Sequence, residues 1–180
     1  DQDRMIVAPH LDTKQGAWSG VLWGTENQVH WECGIRTSAA IDNQWIWAGL
    51  KLTNVVEIAT DANSAFFSFG TDADNAGQAF TDFTKLHFCH SVADTDYISV
   101  LPITVAASTN YHLKIVFDSD RKMSIFVDGE QYNITSTSGS TGGTAVTKGT
   151  GKSGAMTDNI DLIPYIGIEN CDAAAAVLNV

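Results

Sequence analysis

Apolar and polar residues largely alternate through YHLKIVFDSDRKMSIFVDGEQYNIT, Tyr111 to Thr135. Tyr111, Leu113, Ile115 and Phe117 fall on one side of an extended chain, and His112, Lys114 and Val116 on the other. Successive side chains leave opposite faces of a sheet, so a period of two marks a strand with one face buried. Asp118-Ser119-Asp120-Arg121 follows, a run of turn formers whose short polar side chains bond nearby backbone. Met123, Ile125 and Val127 then alternate with Lys122, Ser124 and Phe126. Asp128-Gly129 predicts a two-residue hairpin turn, because both central positions need positive φ. Tyr132 and Ile134 continue into a third strand, which completes a predicted antiparallel meander.

The same period recurs along the chain. VHWECGIRT, residues 29–37, places Trp31, Cys33 and Ile35 on one face and Glu32 and Arg36 on the other. QWIWAGLKLT places Ile46, Ala48, Leu50 and Leu52 opposite Trp45, Trp47 and Lys51. Further strands are predicted at 65–70, 85–92, 97–105 and 161–170, and the tail 173–180 reads as a final one. Nine or ten short strands with turn signals between them, and no amphipathic helix, predict an all-β fold: an antiparallel two-sheet jelly-roll sandwich. Residues 1–18 lack a clear period and read as an N-terminal arm. Residues 19–180 read as a single jelly-roll domain, a size one core can fill. Within it, 136–157 shifts to Gly, Ser and Thr and reads as a long, exposed, mobile loop.

Charge narrows the partners. The net charge is −11, with only ten Lys and Arg spread thinly, so no basic stripe exists to neutralise nucleic-acid phosphates or an anionic membrane. No apolar run approaches the roughly 20 residues a membrane helix needs, and the start shows no signal-peptide pattern. Three cysteines, Cys33, Cys89 and Cys171, are an odd and sparse count for a disulfide framework. They read as small buried hydrophobes, which suits folding in a reducing cytoplasm.

No catalytic set emerges. Of the five glutamates only Glu130 has an acidic residue two positions away, Asp128 across the predicted hairpin turn, and the Asp pairs 72/74, 94/96 and 118/120 likewise lie in predicted turns. There is no Gly-x-Ser-x-Gly elbow and no phosphate-cradling loop. The chain is therefore expected not to be an enzyme and to need no cofactor. Asp72, Asp74 and Asn75 cluster before Gly77, which leaves open either a solvated loop or a loose calcium site. HFCH places His87 and Cys89 on one strand face and His90 on the other, an incomplete set for zinc. Trp45 and Trp47 share the face opposite their aliphatic neighbours. Three readings stay open for them: a face covered by the fold, a protein interface, or a platform on which sugar rings stack. Asn133-Ile134-Thr135 fits a glycosylation sequon, read as coincidence without a secretory context.

The run YHLKIVFDSDRKMSIFVDGEQY resembles the paired strands of the concanavalin A-like lectin/glucanase superfamily, laminin-G-like domains included. DLIPYIGIENCDAAAAVLNV is similar to the closing strands of such domains. GVLWGTENQVHWECGIRTS and NQWIWAGLKLTN resemble structural proteins of marine and cyanobacterial tailed phages. The superfamily's glucanases carry a Glu-x-Asp-x-x-Glu strand that is absent here, so that activity is not implied. The Asp and Asn constellation of legume-type lectins does not map onto this chain. The resemblance implies a nonenzymatic virion part, either a capsid decoration or a spike or fibre module. It would be made in a bacterial host's cytoplasm and act on the virion. Its partners would be other virion proteins and itself, as a trimer. The alternative is a carbohydrate-binding module or lectin, with a glycan as partner.

Overall fold

The computed structural model describes residues 3–7, 24–52, 61–70 and 80–170. Eleven strands lie among them: β1 (Asp3–Val7), β2 (His30–Arg36), β3 (Gln44–Lys51), β4 (Asn63–Gly70), β5 (Lys85–Val92), β6 (Thr95–Thr104), β7 (Asn110–Phe117), β8 (Met123–Val127), β9 (Glu130–Tyr132), β10 (Thr144–Ala145) and β11 (Ile163–Asn170). A three-residue 3-10 turn, Thr25–Asn27, leads into β2. The strands form two sheets. One has seven strands in the order β1-β11-β3-β4-β5-β6-β10, the other four in the order β2-β7-β8-β9. Apart from the short β6–β10 contact, every pairing is antiparallel. The chain is an all-β, two-sheet jelly-roll sandwich.

The main core is what the alternation dictates. Leu113, Ile115 and Phe117 from β7 and Met123, Ile125 and Val127 from β8 meet Ile46, Ala48 and Leu50 from β3 and Phe67 and Phe88 from β4 and β5. Asp128 and Gly129 sit at φ +52° and +82°, the left-handed pair a tight hairpin demands. At the preceding corner the Asp118 carboxylate accepts the backbone N–H groups of Asp120 and Lys122, each at 2.9 Å.

Five residues of the segment read as an arm form β1, paired with β11 on the edge of the larger sheet. Residues 8–18 of that segment, and the tail 173–180, lie outside the described residues. The segment 136–157 is largely exposed, yet it is pinned at both sheets. It bridges Tyr97 at Ser138 and Phe80 at Gly142, pairs with β6 through β10, and returns to bridge Tyr132 at Lys148 and Lys122 at Ala155. Asn133 clasps the return: its amide donates to Thr147 Oγ1 at 3.0 Å and accepts the Gly151 N–H at 2.8 Å. The amide of the sequon is thus spent on structure.

Candidate functional site: an open groove on the four-stranded sheet

The outer faces of the two sheets differ. On the larger sheet, β3, β4 and β5 are buried on both sides. Trp45 and Trp47 are 1% and 0% exposed, so the expectation of an open aromatic face at these two residues is corrected. They build a second core cluster with Phe66, Phe80, Cys89, Ile98 and Tyr165. Trp47 stacks on Tyr165 at 5.7 Å and meets Trp45 edge-on at 5.9 Å, while the Trp45 indole N–H donates to Ser68 Oγ at 2.8 Å. The indole of Trp47 can lie flat because Gly167 is its cross-strand partner. A Cβ there would stand 2.5 Å from the ring.

Lys51 occupies the same buried face. Its ammonium lies 3.6 Å from the Asp61 carboxylate, with the Phe66 and Tyr165 rings at 4.9 and 5.6 Å. His87 and Cys89 share this face as predicted, and His90 turns inward to stack on Tyr97 at 4.6 Å. His87 stacks on Phe80 at 3.8 Å. Among the described residues no three His, Cys, Asp or Glu side chains gather as metal ligands. Asp72, Asp74 and Asn75, the candidate calcium loop, lie outside the described residues. Cys33 and Cys89 are free thiols, and burial pushes Cys33 up to about 12 and Cys89 higher still.

The two buried histidines carry a pH dependence. Burial depresses His87 to about 4, against the opposing pull of the Lys85 backbone and Asp82, and depresses His90 to about 3. Below the unfolded value of roughly 6.5 the unfolded chain takes up protons that the folded chain refuses. Stability is therefore full above pH 6.5 and falls as the pH drops toward 4, by up to about 1.4 kcal/mol per pH unit for each histidine. Urea midpoints at pH 7 and pH 5 are expected to show a clear loss at pH 5. Equal midpoints would contradict it.

The four-stranded sheet is open on its outer side. Trp31 and Ile35 turn inward, which sends Glu32, Gly34 and Arg36 outward from β2. Leu113 and Ile115 likewise send Asn110, His112 and Lys114 outward from β7. Register then sets three rows across the sheet: Arg36 opposite Asn110; Gly34 opposite His112, with Asp128 beyond; and Glu32 opposite Lys114 and Phe126. A groove of about 440 Å³ opens over Gly34, walled by Arg36, Asn110, His112 and Asp128. That volume is within the usual range for small-ligand sites.

Two of these walls, His112 and Asp128, are held in place. The Asp128 carboxylate accepts the His112 backbone N–H at 2.8 Å, and the Asp128 N–H donates to the His112 carbonyl at 2.8 Å. The Glu32 carboxylate lies 3.0 Å from His112 Nε2 and 3.4 Å from Lys114 Nζ. Its hydrogen bond to His112, and then that to Lys114, hold the Glu32 carboxyl below the usual range. Phe126, half-buried beside Lys114, places an aromatic face on the same surface.

Gly34 is distinctive among the strand glycines. A Cβ at Gly49 or Gly167 would collide with backbone or ring atoms, whereas one at Gly34 would meet nothing within 4 Å. Its φ is not positive either. Neither packing nor backbone geometry requires glycine there, and its effect is to keep the groove open.

The sequence reveals half of this groove. Alternation puts Glu32, Arg36, His112 and Lys114 on polar strand faces but does not make them neighbours, and it gives Gly34, Asn110 and Asp128 no role in a site. An unforced glycine within the polar face of a strand was the available signal.

No protein-family model matches this chain. No curated protein matches it either. Among solved structures it is similar to the carbohydrate-binding module CBM66 from Bacillus subtilis, at 8% identity, 85% of this chain, 75% of that one and a TM-score of 0.42. It is similar to galectin-Ib from Xenopus laevis, at 11% identity, 98% of this chain, 100% of that one and a TM-score of 0.43. Domains LG4-5 of the mouse laminin α1 chain match at 12% identity, 98% of this chain, 43% of that one and a TM-score of 0.37.

Proposed function

We propose that the chain is a carbohydrate-binding module that holds a glycan, without cleaving it, in the groove over Gly34. The observation that carries this reading is an open groove kept clear by an unforced glycine and walled by Arg36, Asn110, His112 and Asp128. These are planar polar groups, and together they offer donors and acceptors to pairs of sugar hydroxyls. Arg36, Asn110 and His112 stand on the paired strands β2 and β7, and Asp128 is tied to His112 through its backbone, so the backbone of the groove is already ordered before binding. Phe126 supplies an apolar face for a sugar ring. Cleavage is not favoured by the carboxylates present. The hydrogen bonds from His112 and Lys114 favour the charged form of Glu32, so it is not poised as a proton donor.

An array of oligosaccharides probed with the labelled chain tests this. Binding to at least one glycan is expected, with His112→Ala lowering affinity about tenfold or more through loss of a groove wall. Absence of binding across the array would sink the reading.

One observation favours a second reading, the virion part. Strand β1 lies on the sheet edge with Met5 and Val7 51% and 54% exposed, a surface suited to docking on a neighbour. Light scattering distinguishes them: assembly into a stable oligomer supports docking, and a 19.3 kDa particle weighs against it.

A further inference from the structure

Ion pairing across the described residues is uneven in a telling way. Five cations sit within 4 Å of a carboxylate: Lys51 by Asp61, Lys114 by Glu32, Arg121 by Asp158, Lys148 by Glu130 and Lys152 by Asp118. Lys85, Lys122 and Arg36 do not, although the chain carries 21 acidic residues and a net charge of −11, and of these three only Arg36 lines the groove. It is exposed, it makes no side-chain hydrogen bond or ion pair with any described residue, and it forms one end of the groove.

Glu32 is matched by His112 and Lys114, whereas Asp128 accepts only the neutral His112 N–H and keeps its charge. Arg36 carries a positive charge without a carboxylate partner at the Asn110 end, one register row away from Asp128. A guanidinium offers two parallel N–H donors in a planar fork, the complement of a carboxylate. Repulsion from the rest of this acidic chain is screened beyond roughly 8 Å at physiological salt, so a local pair at Arg36 can prevail there.

Resting on the carbohydrate reading above, we infer that the preferred glycan bears a carboxylate, as uronic-acid sugars do, and that Arg36 takes that carboxylate at the end of the groove. Asn110, opposite Arg36 in the register, supplies an amide to an adjacent hydroxyl. His112 and Asp128 contact the next part of the sugar chain.

The test is calorimetry at physiological salt with neutral, uronate and sulfated oligosaccharides of equal length. The uronate form is expected to bind about tenfold more tightly than the neutral one, the scale of one charge-assisted pair. Arg36→Gln is expected to bring the uronate-to-neutral ratio to about one, whereas Lys122→Gln, an exposed cation outside the groove, keeps it. Equal affinity for neutral and uronate forms would overturn the inference and leave the carbohydrate reading standing. So would a preference that survives in Arg36→Gln, or tighter binding of the sulfated form. Failure of all three to bind the native chain would overturn both.

Discussion

Gly34→Val is expected to make the protein more stable and to weaken glycan binding. A strand-interior glycine costs roughly 0.5–1 kcal/mol relative to a residue with a side chain, and a β-branched residue suits a strand further. The Cβ at position 34 has open space around it and φ is ordinary, so the gain is not offset by strain. A rise in melting temperature of about 2–4 °C follows for a domain of this size. The same side chain would rise from the floor of the groove, directly opposite His112, and displace a bound sugar. The expected loss of affinity is about tenfold or more, the scale of losing one good polar contact or the space for a ring. The opposed signs make the variant informative. A merely damaged fold would lower both quantities, and a groove without function would show the stabilisation alone. Thermal melts and calorimetry on the one variant give both readouts.

Asp61→Ala is expected to destabilise the protein by up to about 3–5 kcal/mol, because it removes a buried carboxylate from beside the buried Lys51 ammonium. Lys51 and Asp61 are both fully buried, with ammonium and carboxylate 3.6 Å apart. Phe66 and Tyr165 flank the ammonium and attract it through their ring faces, but they do not replace a counter-charge. Substituting both partners with apolar residues, Lys51→Met with Asp61→Leu, is expected to recover much of the loss, since no charge is then left buried. Denaturant titration of the single and double variants decides this. A loss below about 1 kcal/mol in Asp61→Ala would mean that the ammonium finds water or another partner.

Both predictions rest on parts of the structure that differ in how far the sequence reveals them. The meander of β7, β8 and β9 is readable because alternation, Asp128-Gly129 and the Asp118 corner are all local signals, and each forms as read. The outward direction of Glu32, Arg36, His112 and Lys114 follows from the same alternation. Their assembly into one groove does not, because β2 and β7 are distant in sequence and only their pairing brings Gly34 beside His112. The fate of Trp45 and Trp47 was open for a related reason. Alternation assigns them to the face opposite Ile46 and Ala48, but says nothing of whether that face is covered. Gly49 and Gly167, which let the large rings settle against the sheet, take on that meaning only once β3, β4 and β11 are paired. The segment 136–157 carries a composition typical of mobile loops. Its anchors are backbone bridges and scattered side-chain contacts, among them Asn133 to Thr147 and Gly151, Ser153 to the Met123 N–H and the buried Met156, none of which has a compositional signature.

The most direct test of the central claim is a residue-resolved map of where a sugar binds. Amide chemical shifts of the labelled chain would be followed by NMR while the tightest-binding oligosaccharide of the calorimetric panel is titrated in. The account predicts saturable shifts concentrated at Gly34, Arg36, Asn110, His112 and Asp128, with the outer face of the seven-stranded sheet unmoved. Shifts confined to β1, or spread without saturation over the surface, would contradict it.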